Sequence, residues 1–65
     1  MYRLENWFIV GNKAYGNVYG NPLFADGEMI RTSEILDSTD GVITTKNNMY
    51  SLGNSYINNL SELED

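Results

Sequence analysis

Turn signals divide this chain into short segments, and that punctuation constrains its fold more than any other feature. Gly11-Asn12, Gly20-Asn21-Pro22, Asp26-Gly27, Asp40-Gly41, Asn47-Asn48 and Gly53-Asn54-Ser55 all combine residues that favour turns. Between them, Trp7-Phe8-Ile9-Val10 reads as a buried first strand. Ala14 to Tyr19 is broken by Gly16, which leaves Asn17-Val18-Tyr19 as a short strand. Pro22 to Gly27 reads as a loop. Glu28 to Leu36 reads as a strand with Met29, Ile30, Thr32 and Ile35 as packing candidates. Strict alternation leaves Ile35 on the face opposite Ile30 and Thr32, which a bulge near Thr32-Ser33 would resolve. Asp40-Gly41 gives a tight hairpin into Val42-Ile43-Thr44-Thr45, and Asn47-Asn48 a second into Met49-Tyr50-Ser51-Leu52. The expectation is mainly β: a small curled antiparallel sheet of four to five strands, barrel-like. A short C-terminal helix is predicted at about residues 55–63, with Tyr56, Ile57, Leu60 and Leu63 on one face.

Sixty-five residues (1–65) make one small module, with 42% hydrophobic residues and no cysteine to cross-link it. That supplies one thin core and no internal ligand cavity. The remaining stabilisers for so small a chain are a partner or self-association, so a homo-oligomer is expected. The start, Met1-Tyr2-Arg3-Leu4-Glu5-Asn6, is unlike a secretory signal, and the longest apolar run is four residues. A cytoplasmic protein that does not enter a membrane is expected. The net charge of −5 argues against duplex nucleic acid as a partner. Glu62, Glu64 and Asp65 supply three of the nine acids, so the other six against four bases leave −2 for the rest. A local positive site around Arg31, Lys13 or Lys46 fits that balance.

The sequence contains no His and no Cys, so the usual general bases and thiol nucleophiles are missing, and no enzyme activity or cofactor is expected. The pairs Asp26/Glu28 and Asp37/Asp40 flank turn glycines, where Asp is ordinary turn chemistry. Asp37-Ser38-Thr39-Asp40-Gly41 departs from a calcium loop: its glycine comes one position early and no acid follows at the twelfth. Gly11, Gly16 and Gly20 match no phosphate-binding fingerprint.

Two features stand out. Residues 16–27 gather aromatic, amide and glycine residues in a loop too short to bury them all. Tyr19 and Phe24 can stack a base beside bare backbone amides, or they can plug the ends of a small barrel. Ile30-Arg31-Thr32-Ser33 sets one guanidinium beside two hydroxyls, a small anion-recognising group. Its plainer reading is a solvent-facing strand with Arg31 paired to Glu34 or Glu28. The Asp26-Gly27 turn joins the two features and favours a shared site for an aromatic anion.

The run from Gly16 to Ser33, Gly-Asn-Val-Tyr-Gly-Asn-Pro-Leu-Phe-Ala-Asp-Gly-Glu-Met-Ile-Arg-Thr-Ser, resembles a widespread family of short phage and bacterial proteins. Thr44-Thr45 and Tyr50-Ser51-Leu52-Gly53 extend the likeness to about residues 7–53. Its densest part is Val-Tyr-Gly-x-Pro-x-Phe-x-Asp-Gly. Asn21 stands where many members carry histidine, and Leu23 where they carry a basic residue. The family is similar to anti-CBASS sponges, phage counter-defence proteins that sequester cyclic dinucleotides without cleaving them. The resemblance implies an oligomer with the ligand pocket between like subunits. It implies that Tyr19 and Phe24 stack bases, Arg31 meets phosphate or a guanine edge, and Thr32 and Ser33 support it. Asn17 and Asn21 are secondary candidates for base edges. The competing reading is a small inhibitor or adaptor that uses a sheet edge or the acidic C-terminus against a host protein.

Overall fold

The computed structural model describes residues 1–57 and is mainly β. Six strands form one sheet: β1 (Tyr2–Val10), β2 (Lys13–Tyr19), β3 (Glu28–Arg31), β4 (Ile35–Thr39), β5 (Val42–Thr45) and β6 (Met49–Leu52). The sheet order is β3-β2-β1-β6-β5-β4. Two antiparallel meanders, β1-β2-β3 and β4-β5-β6, are joined in the middle by a parallel β1–β6 pair.

This corrects the expected four or five antiparallel strands in two ways. The parallel pair brings together residues nearly fifty positions apart, which no turn signal encodes. The predicted strand from Glu28 to Leu36 is two strands on opposite edges of the sheet. Only Thr32, Ser33 and Glu34 separate them, a link that reaches about 14 Å at most. In a flat sheet of this order those edges would lie about 24 Å apart, so the sheet must curl. It does not close, because β3 and β4 form no ladder.

Hydrogen bonds hold the link in place. Thr32 N–H donates to the Ala14 carbonyl (2.8 Å), Ile35 N–H to Asn12 (2.7 Å) and Lys46 N–H to Glu34 (2.9 Å). The bulge expected at Thr32-Ser33 is absent; β4 instead shifts register between Ile35 and Asp37, which leaves Leu36 exposed.

The Asp40-Gly41 turn is as read. Both residues have positive φ (53° and 74°), the pattern of a tight two-residue hairpin. The Asn47-Asn48 turn is closed differently. The Thr45 hydroxyl donates to the Asn48 carbonyl and accepts the Asn48 N–H, and neither asparagine has positive φ. The first strand is longer than Trp7–Val10 and is not buried there, since Ile9 and Val10 are exposed. It carries a bulge between Glu5 and Phe8, where Asn6 takes a positive φ of 54°.

No helix is among the elements of the described residues. Ser55, predicted to begin one, instead forms a parallel bridge with Trp7. Tyr56 and Ile57 have helical backbone, and positions 58–63 of the predicted helix lie outside the described residues. No helix among the described residues is long and apolar enough to cross a membrane.

The core is one thin layer: Leu4, Ala14, Val18, Ile30, Ile43 and Tyr50, with Tyr2, Trp7, Ile35 and Leu52 packed against it. In β2, Ala14, Gly16 and Val18 are buried, whereas Lys13, Tyr15, Asn17 and Tyr19 alternate onto the opposite face. That second face is the outer surface of the β1-β2-β3 meander.

Candidate functional site

Residues directly opposite in an antiparallel pair share a face, so register specifies what surrounds the exposed row of β2. Arg3 lies opposite Tyr19, Glu5 opposite Asn17, Phe8 opposite Tyr15 and Val10 opposite Lys13. On the other flank, Arg31 lies opposite Tyr15 and Met29 opposite Asn17. Arg3, Lys13 and Arg31 are three of the chain's four basic residues, and all three fall on this face. Among the described residues its one carboxylate is Glu5. For a chain of net charge −5, this is a concentrated cationic surface interleaved with aromatic rings.

The charges and rings form two groups. At the β2–β3 hairpin end, the Arg3 guanidinium lies 4.6 Å from the centroid of the Tyr19 ring, a cation–π stack. Arg3 Nε also meets Glu5 Oε2 at 3.3 Å, and Glu5 Oε1 accepts the Asn54 N–H at 3.0 Å. Asn17 Nδ2 donates to the Gly27 carbonyl (3.0 Å), which ties the hairpin to the row. Gly20 N–H donates to Asp26 Oδ1 (2.9 Å), so Asp26 serves the turn.

The second group lies further along the strands. Phe8 and Tyr15 stack with parallel rings 5.2 Å apart, and Tyr56 meets Phe8 edge-on at 5.9 Å. Arg31 is exposed beside Tyr15 and makes no ion pair among the described residues. The pairing of Arg31 with Glu34 or Glu28 is therefore not formed; Glu34 instead accepts a hydrogen bond from Asn12 Nδ2.

The seven residues singled out from sequence are brought together only in part. Asn17, Tyr19 and Arg31 share the outer face. Phe24 is exposed in the hairpin loop, and Tyr19 is half-buried on the sheet, so neither belongs to the core. Asn21 is almost fully buried. Its Oδ1 accepts the Leu23 N–H (3.0 Å), while its Nδ2 has no partner among the described residues.

The Thr32 and Ser33 hydroxyls are both engaged by the fold. Buried Thr32 Oγ1 accepts the Ala14 N–H (3.0 Å) and donates to the Ser33 carbonyl (2.9 Å). Ser33 Oγ accepts the Asn47 N–H at 3.2 Å. Thr32→Val keeps the shape but leaves the buried Ala14 N–H without its side-chain acceptor. It should cost about 1–3 kcal/mol in urea unfolding. A loss below about 0.5 kcal/mol would remove Thr32 from the latch between β2 and the link.

Arg3, Phe8 and Tyr15 were not singled out from sequence. The signal was the period-two row Lys13-x-Tyr15-x-Asn17-x-Tyr19, masked by reading Gly16 as a strand breaker. A hollow of about 370 Å³ among the described residues, open to solvent, is lined by Met1, Tyr2, Thr45, Asn47, Asn48 and Met49. It holds no charged side chain and none of the seven candidates. No protein-family model, curated protein or solved structure matches the chain.

Proposed function

We propose that this protein binds and sequesters a cyclic dinucleotide or related nucleotide signal without cleaving it. In this reading it acts as a phage counter-defence protein in the cytoplasm of the host cell. The observation that carries the reading is the outer face of β1-β2-β3. Three of four cations stand there beside Tyr15 and Tyr19, with Arg31 free to meet a phosphate. Bases stack on tyrosine and on guanidinium planes, and arginine forms charge-assisted hydrogen bonds to phosphate. The chemistry available is binding: the sequence contains neither His nor Cys. Assembly belongs to the same proposal, since Ile9, Val10, Met29, Leu36 and Met49 are large apolar side chains left exposed on strands.

Thermal melting with cyclic di-AMP, cyclic di-GMP and cyclic GMP–AMP tests this directly. A ligand that binds only the folded state raises the midpoint, by an amount that grows with its concentration. The nucleotide should be recovered intact after heat release; recovery of a hydrolysed product would sink the sponge reading. Arg31→Ala should weaken binding roughly tenfold to a hundredfold while the ligand-free melting curve stays put, because the side chain is exposed and makes no ion pair among the described residues. The free edges of β3 and β4 favour a second reading, a small inhibitor or adaptor that adds a strand from a host protein. A stoichiometric protein partner, with no nucleotide effect on melting, would support that instead.

A further inference from the structure

The two groups on the outer face repeat one another. Each consists of a β2 tyrosine with an arginine from a neighbouring strand: Tyr19 with Arg3 from β1, and Tyr15 with Arg31 from β3. The tyrosines are four residues apart on one strand, hence on the same face and about 13 Å apart. Asn17 stands between them, fixed to the Gly27 carbonyl. Glu5, opposite Asn17, is the one carboxylate on this face among the described residues, and it is ion-paired with Arg3.

We infer that a single chain holds both bases of a dinucleotide, spread apart, with one base at Tyr19 and the other at Tyr15. This deepens the nucleotide-binding reading and rests on it. In a cyclic dinucleotide spread in this way both phosphates lie between the bases, so they fall between the stations, where Arg31 carries no ion pair among the described residues and Arg3 offsets the charge of Glu5. A ligand whose two bases fold onto each other would occupy one station and leave the other empty. Each chain carries both stations, so the binding unit is one subunit and not the junction between two. The Tyr15 station is the better built: Phe8 stacks against Tyr15 and Tyr56 braces Phe8, which holds the ring before a ligand arrives. Lys13, two residues before Tyr15 on the same face, adds a second cation at that end.

Isothermal titration of the full chain with cyclic di-AMP and cyclic di-GMP, and separately with AMP and GMP, tests the inference. The favoured dinucleotide should bind once per chain. Its mononucleotide should bind twice per chain and at least a hundredfold more weakly, because linking two bases makes the second contact intramolecular. Tyr15→Ala and Tyr19→Ala should each weaken the dinucleotide about tenfold to a hundredfold, and each should reduce the mononucleotide to one site. Tyr15→Phe, which keeps the ring, should stay within about threefold. One dinucleotide per two chains would overturn the inference. So would Tyr15→Ala binding within twofold of the parent while Tyr19→Ala fails; that outcome leaves the nucleotide reading standing with one station. If the unaltered chain binds no nucleotide, both fall. The mononucleotide stoichiometry is read on the unaltered chain, so it stands even where a variant folds poorly.

Discussion

Leu4→Ala should remove a third or more of the stability of this protein. Leu4 is fully buried in β1, pairs with Val18 in β2 and Leu52 in β6, and so sits where the two meanders join. Truncating a buried leucine costs about 2–5 kcal/mol, the lost transfer energy plus the cavity left behind. A 65-residue chain has roughly 3–10 kcal/mol in all, and its single core layer has little neighbouring mass to collapse into the gap. The urea midpoint should therefore fall by more than a third, and near-ultraviolet dichroism should lose its signal from Trp7 and the tyrosines. Leu36→Ala is the matched control. Leu36 is 64% exposed at the β4 bulge, so its truncation should change stability by less than about 0.5 kcal/mol. Similar losses for the two variants would show that the β1–β6 junction is not where this fold is held.

The parts of the fold legible in the sequence are those fixed by neighbours in the chain. Asp40-Gly41 specifies its hairpin because both residues tolerate positive φ, and β5 and β6 follow from the turns that bound them. What escaped depends on contacts remote in sequence. The parallel β1–β6 pairing has no local signature. Thr32-Ser33 reads as a bulge in one strand, whereas Thr32, Ser33 and Glu34 bridge two sheet edges in a link fixed by Ala14, Asn12 and Lys46. Asn6 hides a bulge, since asparagine tolerates positive φ without announcing it.

The candidate site divides in the same way. Arg31, Tyr19 and Asn17 were legible as chemistry, but their neighbours were not. Arg3 reaches Tyr19, and Phe8 reaches Tyr15, only through the β1–β2 register. Thr32 and Ser33 have the composition of an anion site, yet their hydroxyls serve the link. Composition names which groups could bind; burial and register show which ones are left free to do so.

Gly16 is where fold and site depend on the same atom, and Gly16→Val should disrupt both. A Cβ there would lie 2.8 Å from Leu4 Cγ and 2.9 Å from the Glu5 carbonyl oxygen. The first contact is with the centre of the core, the second with backbone just before the β1 bulge. Neither can yield without moving β1 against β2. Overpacking a tight core costs about 1–3 kcal/mol, and valine adds two further methyl groups to the same space, so about 3 kcal/mol or more is expected. Because Gly16 lies between Tyr15 and Asn17, the shift displaces the exposed row, and nucleotide affinity should fall together with stability.

Gly20→Ala separates space from conformation. Gly20 has a φ of 86° and, among the described residues, nothing within 4 Å of its would-be Cβ, so its cost should be conformational alone, about 1 kcal/mol. Gly16→Ala, which has no positive φ to lose, should cost at least as much. Combining Gly16→Ala with Leu4→Ala should then be less damaging than the sum of the two, because truncating Leu4 clears one of the two collisions. The Glu5 carbonyl still blocks the other, so the rescue should be partial. Full additivity in urea unfolding would mean that the Leu4 contact is not what keeps this position a glycine.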